Sequence, residues 1–120
     1  MKLRFVLWML GQLLKRAWRR QPEFRDAVAE KGPLHFGIGL EDLSVARHYH
    51  LHADGVEAGE GLPISTQLEL RFRDADAAVA FLKRPSPRHF REALMSHRLR
   101  VVGDVARLDT LQALLRYLRR

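Results

Sequence analysis

Apolar residues in this chain recur first at helical spacing, then at every second position, then at helical spacing again. Over residues 1–20, Leu3, Val6, Leu7, Leu10, Leu13, Leu14, Ala17 and Trp18 fall on one side of a helix. The opposite side carries Gln12, Lys15, Arg16, Arg19 and Arg20 in its second half, but Phe5, Trp8 and Met9 in its first. Pro22 suits the first position of a second helix running to Lys31. Its face is Phe24, Ala27 and Val28, and Gly32-Pro33 ends it. The period then changes to two. Leu34, Phe36, Ile38 and Leu40 alternate with His35, Gly37, Gly39 and Glu41, and Tyr49 and Leu51 alternate with His48, His50 and His52. Asp54-Gly55 is a hairpin turn signal, with Val56–Glu60 as the return strand and Gly61-Leu62-Pro63 as its break. Thr66, Leu68, Leu70 and Phe72 then alternate with Gln67, Glu69, Arg71 and Arg73.

Helical spacing returns after Asp74, a candidate N-cap for a helix bearing Ala77, Ala78, Phe81 and Leu82. Pro85-Ser86-Pro87 breaks it, with Ser86 as N-cap and Pro87 at the first position of a helix bearing Phe90, Ala93 and Leu94. Arg98–Val102 reads as a short strand, and Gly103-Asp104 turns into a last helix. That helix has a stripe of Val105, Leu108, Leu111, Leu115 and Leu118, with Arg116, Arg119 and Arg120 complementing its C-terminal dipole. The pattern predicts an α+β (α/β) fold, with a mostly antiparallel sheet of four to five strands and helices packed on one face. The helix pair before the last strand must act as a crossover. We expect residues 1–20 to form a basic amphipathic N-terminal helix and residues 21–120 to form the domain.

At 120 residues the chain suits one domain, and 47% apolar against 29% charged residues argues for a packed globule. The absence of cysteine excludes a disulfide scaffold, thiolate zinc sites and a thiol nucleophile. A net charge of +7 invites a nucleic-acid reading. However, six of the 21 Lys and Arg lie in the first 20 residues with no acid, leaving 15 basic against 14 acidic side chains elsewhere. A nearly neutral body releases few counterions on a polyanion, so no nucleic-acid partner is expected.

The basic end is also apolar, but Gln12 and Lys15 interrupt it well short of the about 20 residues a membrane span needs. Lys15-Arg16 stands where a secretory signal would place a small-residue cleavage site. The expected location is therefore cytoplasmic, peripheral to the inner membrane. Phe5, Trp8, Lys15, Arg16, Trp18 and Arg19 are the candidate contacts to an anionic membrane surface. The same helix could instead pack on the domain, meet a partner protein or form a homodimer through its aromatics.

The run His48-Tyr49-His50-Leu51-His52 places three imidazoles on one strand face, with neighbours about 6.5–7 Å apart. Two such histidines can chelate a metal with help from a neighbouring strand, where His35 or Glu69 is in reach. They read more simply as lining the wet face beside Gln67, Glu69 and Arg71, and no metal is assigned. Gly37-Ile38-Gly39 lacks the third glycine and the helix of a dinucleotide fingerprint, and marks a spot on the sheet face under another segment. The few Ser and Thr occupy no nucleophile elbow. Neither catalytic residues nor a cofactor are assigned.

What the chain does carry is apolar volume, in Phe36, Ile38, Tyr49, Leu51, Leu70, Phe72, Val79, Phe81, Leu82, Phe90, Leu94, Met95, Leu99 and Val101. A one-sided sheet under short helices either closes over these as a solid core or leaves a cavity.

The run from Phe90 to Asp104 resembles the hallmark of the sterol carrier protein 2 (SCP2) lipid-binding domains. Ala93, Leu94, Met95, Leu99, Val101, Gly103 and Asp104 match that pattern, and His97 stands where the family usually has Gly. The resemblance covers about residues 24–118 and is strongest from 66 onward. It implies an SCP2-like fold with a hydrophobic tunnel for a sterol, acyl or prenyl lipid and no catalytic residues. Small members include accessory proteins of ubiquinone biosynthesis. All the apolar residues named above except Val79 and Phe81 are then candidate lipid contacts. The alternative is a solid-core module that docks on a protein through its N-terminal helix.

Overall fold

A computed structural model describes residues 2–83 and 86–119. The elements in chain order are α1 (Lys2–Arg20), α2 (Pro22–Lys31), β1 (Leu34–Leu40), β2 (Ala46–His52), β3 (Gly55–Glu60), β4 (Leu68–Phe72), α3 (Ala75–Lys83), α4 (Pro87–Met95), β5 (Leu99–Gly103) and α5 (Leu108–Leu115). Single 3-10 turns flank α5 at Val105–Arg107 and Arg116–Arg119. The five strands form one sheet in the order β3-β2-β1-β4-β5. Every pairing is antiparallel except β1 with β4. The fold is α+β with a mostly antiparallel sheet.

Register sorts the two faces. Leu34, Phe36 and Ile38 of β1 lie beside Leu51, Tyr49 and Arg47 of β2, and Phe36, Ile38 and Leu40 lie beside Leu68, Leu70 and Phe72 of β4. Helices cover this face: α1 packs on β3, α2 on β2, and α3 on β1 and β4. Leu3, Leu7 and Leu14 of α1, Phe24 of α2 and Leu111 of α5 join the strand residues in one buried cluster. The α1 helix therefore packs on the domain through its expected face. Leu13 departs from that expectation, lying at the margin and exposed. Arg47 also breaks the alternation, because its guanidinium shares the apolar face, half-buried beside Tyr49.

The helix pair does not carry a parallel crossover. It returns the chain to β5, antiparallel beside β4. The parallel contact arises elsewhere, because residues 61–67 must pass from edge strand β3 to β4 across the helix-free face. That passage explains Gly37, where an added Cβ would overlap the Leu62 side chain. The expected stripe of the last helix also shifts. Val105 begins a 3-10 turn and is exposed, whereas Leu111, Leu114 and Leu115 are buried, because the tighter turn resets the helical phase. Pro85, read as part of a helix break, lies outside the described residues, as do Arg120 and the side chain of Arg119, read as dipole partners.

Candidate functional site

Short helices leave gaps where they meet, and one gap lies between α3, α4 and α5. Ser86 caps α4 by accepting the His89 amide at 3.2 Å, and Pro87 occupies the first turn. This start sets Phe81 of α3 against Phe90 of α4, with ring centroids 5.8 Å apart and nearly edge-on. Phe81, Pro87, Phe90 and Leu115 then wall an apolar pocket of about 230 Å³, edged by Ser86, Gln112 and Arg116. Arg116 is exposed, so a cation stands at the open side.

Of the expected apolar lining, Phe90 reaches this pocket. Phe36, Ile38, Tyr49, Leu51, Leu70, Phe72 and Leu99 are buried under the helices. Leu82, Leu94 and Val101 are partly buried against the same cluster, and Met95 is 76% exposed at the end of α4. Periodicity marks which side of a helix is apolar, but it carries no signal for where two helices fail to meet. Leu115 was visible as part of the last stripe, whereas the role of Gln112 and Arg116 as an edge was not.

On α1, Phe5 and Trp8 are exposed by 57% and 46%, with ring centroids 6.1 Å apart, and Met9 and Leu13 extend the apolar patch. Arg16 and Arg19 are exposed, Lys15 is half-buried, and Trp18 packs partly against the core. Arg16 and Arg20 edge a groove of about 470 Å³ that also touches Leu13, Gln21 and Leu118. No helix among the described residues is long and apolar enough to cross a membrane.

The helix-free face holds the imidazoles. His35 lies between strands, with its Nε2 3.0 Å from His48 Nδ1 and its Nδ1 3.2 Å from the Ser65 hydroxyl. Its ring also stacks on that of His50 at 4.9 Å. Burial, then the neighbouring His50 and His48, holds His35 below the ordinary imidazole pKa. Burial also lowers His48, with Arg47 and His50 adding to it. Glu69 does not join this group. It pairs with Arg71 at 2.7 Å, and the carboxylate nearest the imidazoles is Glu57 of β3.

No family model and no curated protein matches the sequence. The fold does match solved structures, and it is SCP2-like. A structure described as the UbiJ-SCP2 ubiquinone synthesis protein superposes with a TM-score of 0.69 at 14% identity, over 95% of this chain and 96% of its own. Apo sterol carrier protein 2 from Yarrowia lipolytica gives 0.59 at 12% identity, covering 92% and 90%. The sec-alkylsulfatase Pisa1 from Pseudomonas sp. gives 0.56 at 12% identity, where 75% of this chain spans 14% of the enzyme.

Proposed function

We propose that this chain is a non-enzymatic lipid carrier or presenter that collects its ligand at an anionic membrane surface. The observation that carries the reading is the apolar pocket of Phe81, Pro87, Phe90 and Leu115 under an SCP2-like fold, with Arg116 at its edge. Such a site takes the end of an acyl, prenyl or sterol skeleton and leaves a polar group beside the cation. At about 230 Å³ it is smaller than the roughly 300–1,000 Å³ of typical ligand sites. A full ligand therefore enters by parting α4 and α5, and the buried Phe36, Ile38, Tyr49, Leu51, Leu70, Phe72 and Leu99 become contacts only in that opened state. The α1 helix supplies the surface contact: Phe5, Trp8 and Met9 insert at the interface, while Arg16, Arg19 and Arg20 meet anionic headgroups. The likeness to a ubiquinone synthesis protein supports a prenylated ligand, and the exposed aromatics and arginines of α1 support a place at a membrane face.

Native mass spectrometry of gently purified protein tests the reading. We expect a copurifying lipid, reduced when Gln112→Phe fills the pocket; protein that stays empty when offered acyl and prenyl lipids refutes it. Because α1 shares the core, surface binding is tested with Phe5→Ser/Trp8→Ser in the full chain rather than by truncation. Co-sedimentation with phosphatidylglycerol vesicles should fall in that variant. The close packing of the interior favours one competing reading, a solid-core module docking on a protein through Phe5 and Trp8. Protein that neither holds lipid nor binds vesicles supports it.

A further inference from the structure

On the face of the sheet away from the apolar pocket, β2 and β3 bring together a set of side chains with metal-binding chemistry. His50 and His52 are two residues apart on one strand and so share a face. The β2–β3 register sets Glu57 opposite His50, with Gly55 opposite His52, so no side chain separates Glu57 from the second imidazole. One carboxylate oxygen lies 3.8 Å from His50 Nδ1 and the other 3.8 Å from His52 Nε2. Both separations exceed hydrogen-bond length, so the carboxylate straddles the two rings without bonding to either. One ligand atom from each residue falls within 4.8 Å of the others.

We propose that His50, His52 and Glu57 form a binding site for a first-row divalent cation of borderline softness, Zn²⁺ foremost. Two imidazoles and a carboxylate suit this class, and three protein ligands leave a fourth position open. Tetrahedral coordination at ordinary Zn–N and Zn–O lengths needs ligand atoms about 3.3–3.5 Å apart. Glu57, largely exposed and free to change rotamer, closes its share of that contraction, and rotation of the two imidazoles about their side-chain bonds closes the rest.

The surroundings orient the ligands. The His50 ring lies flat on His35, which His48 and Ser65 hold in turn. His52 Nδ1 accepts the Asp54 amide at 3.2 Å and turns Nε2 toward Glu57. Coordination through Nε2 moves the ring proton to Nδ1 and releases that amide, which sits in an exposed turn where water replaces the bond. His50 and Glu57 also wall a cavity of about 430 Å³ with His35, Ser65 and Gln67, so a fourth ligand enters from an open space.

The test uses tag-free full-length protein stripped with chelator and titrated calorimetrically with Zn²⁺ alone. We expect one saturable equivalent at micromolar concentration, and a visible absorption band characteristic of tetrahedral Co²⁺ when that ion is substituted. Glu57→Gln and His52→Gln should each abolish saturable binding, while His89→Gln on α4 retains it. Zn²⁺ should raise the melting temperature of the parent and leave that of Glu57→Gln unchanged, which also reports that the variant is folded. Absence of saturable binding, or binding that survives in both the Glu57 and His52 variants, overturns the proposal.

Discussion

The phenolic hydroxyl of Tyr49 donates to the main-chain carbonyl of Leu7 at 2.5 Å, across 42 residues of chain. Tyr49 is fully buried in β2, and burial pushes its phenol pKa far above the usual range, so the donor stays protonated. The bond ties α1 to the sheet beneath it. Because the Leu7 carbonyl keeps its place in the helical ladder, Tyr49→Phe removes one bond without orphaning an acceptor. We expect a loss of about 0.5–1.5 kcal/mol in urea unfolding, with the circular dichroism spectrum unchanged. An unaltered midpoint would show that the bond contributes nothing.

One turn further along α1, Gly11 lies against the same ring. A Cβ there would meet Tyr49 Cε1 at 3.4 Å and the Ala58 Cβ at 3.6 Å, both ordinary contacts. Glycine in a helix interior forfeits roughly 0.5–1 kcal/mol relative to alanine. Gly11→Ala should therefore stabilise the protein by about that amount, read as a higher urea midpoint at constant slope. Destabilisation would mean that α1 and β2 are closer than these distances allow.

The elements themselves were legible because their signals are local. Pro22, Ser86-Pro87 and Asp74 act within a turn or two, and each occupies the cap position read for it. The hairpin read at Asp54-Gly55 turns one residue earlier, through Ala53-Asp54, with Gly55 opening β3. The helix-covered face followed from alternation in β1 and β4. Strand order was not legible, because the parallel pairing of β1 with β4 depends on residues 61–67 crossing the open face, and only Gly37 beneath Leu62 hints at that passage. The same gap separates the expected from the observed partner of His50. Glu69 meets Arg71 two residues along its own strand, whereas only the β2–β3 register sets Glu57 beside the imidazoles. Whether a pocket exists is a matter of how helix ends meet, so Phe81 and Leu115 were visible as apolar positions but not as walls.

Two left-handed residues flank β5 with opposite expectations. Gly103 has φ +100, and a Cβ there would come within 2.5 Å of the Gln67 carbonyl oxygen. That carbonyl also accepts the Asp104 amide at 2.8 Å, and Asp104 Oδ1 in turn accepts the Ala106 amide, so the Gly-Asp pair fastens β5 to β4 and starts the next turn. Gly103→Ala should cost about 1–3 kcal/mol. His97, by contrast, holds φ +62 with a side chain, and is exposed. Its strain of about 1–2 kcal/mol is only partly offset by the entropy that glycine loses on folding, so His97→Gly should stabilise by roughly 0.5–1 kcal/mol. Thermal melts of the two variants should move in opposite directions, and a shared direction would contradict the backbone geometry at one of them.

Acidification should weaken the fold through His35. The residue is about nine-tenths buried. His48 and His50 face it from β2, Glu57 from β3, and Ser65 and Gln67 from the crossing segment. Burial and the two imidazoles lower its pKa below the ordinary 6.5, against smaller opposing effects of the Ser65 hydrogen bond and of Glu57. The unfolded chain thus takes up a proton first as pH falls. Stability conferred by a lowered imidazole is fully present above about pH 6.5 and declines from there through the folded pKa, and His48 acts in the same direction. In chelator-containing buffer, the urea midpoint should hold steady from about pH 8.5 to about pH 7.5, then fall toward about pH 5.5, where carboxylates remain ionised. His35→Gln should flatten that fall whatever its effect on absolute stability. A slope that the substitution leaves unchanged would place the acid sensitivity outside this imidazole cluster.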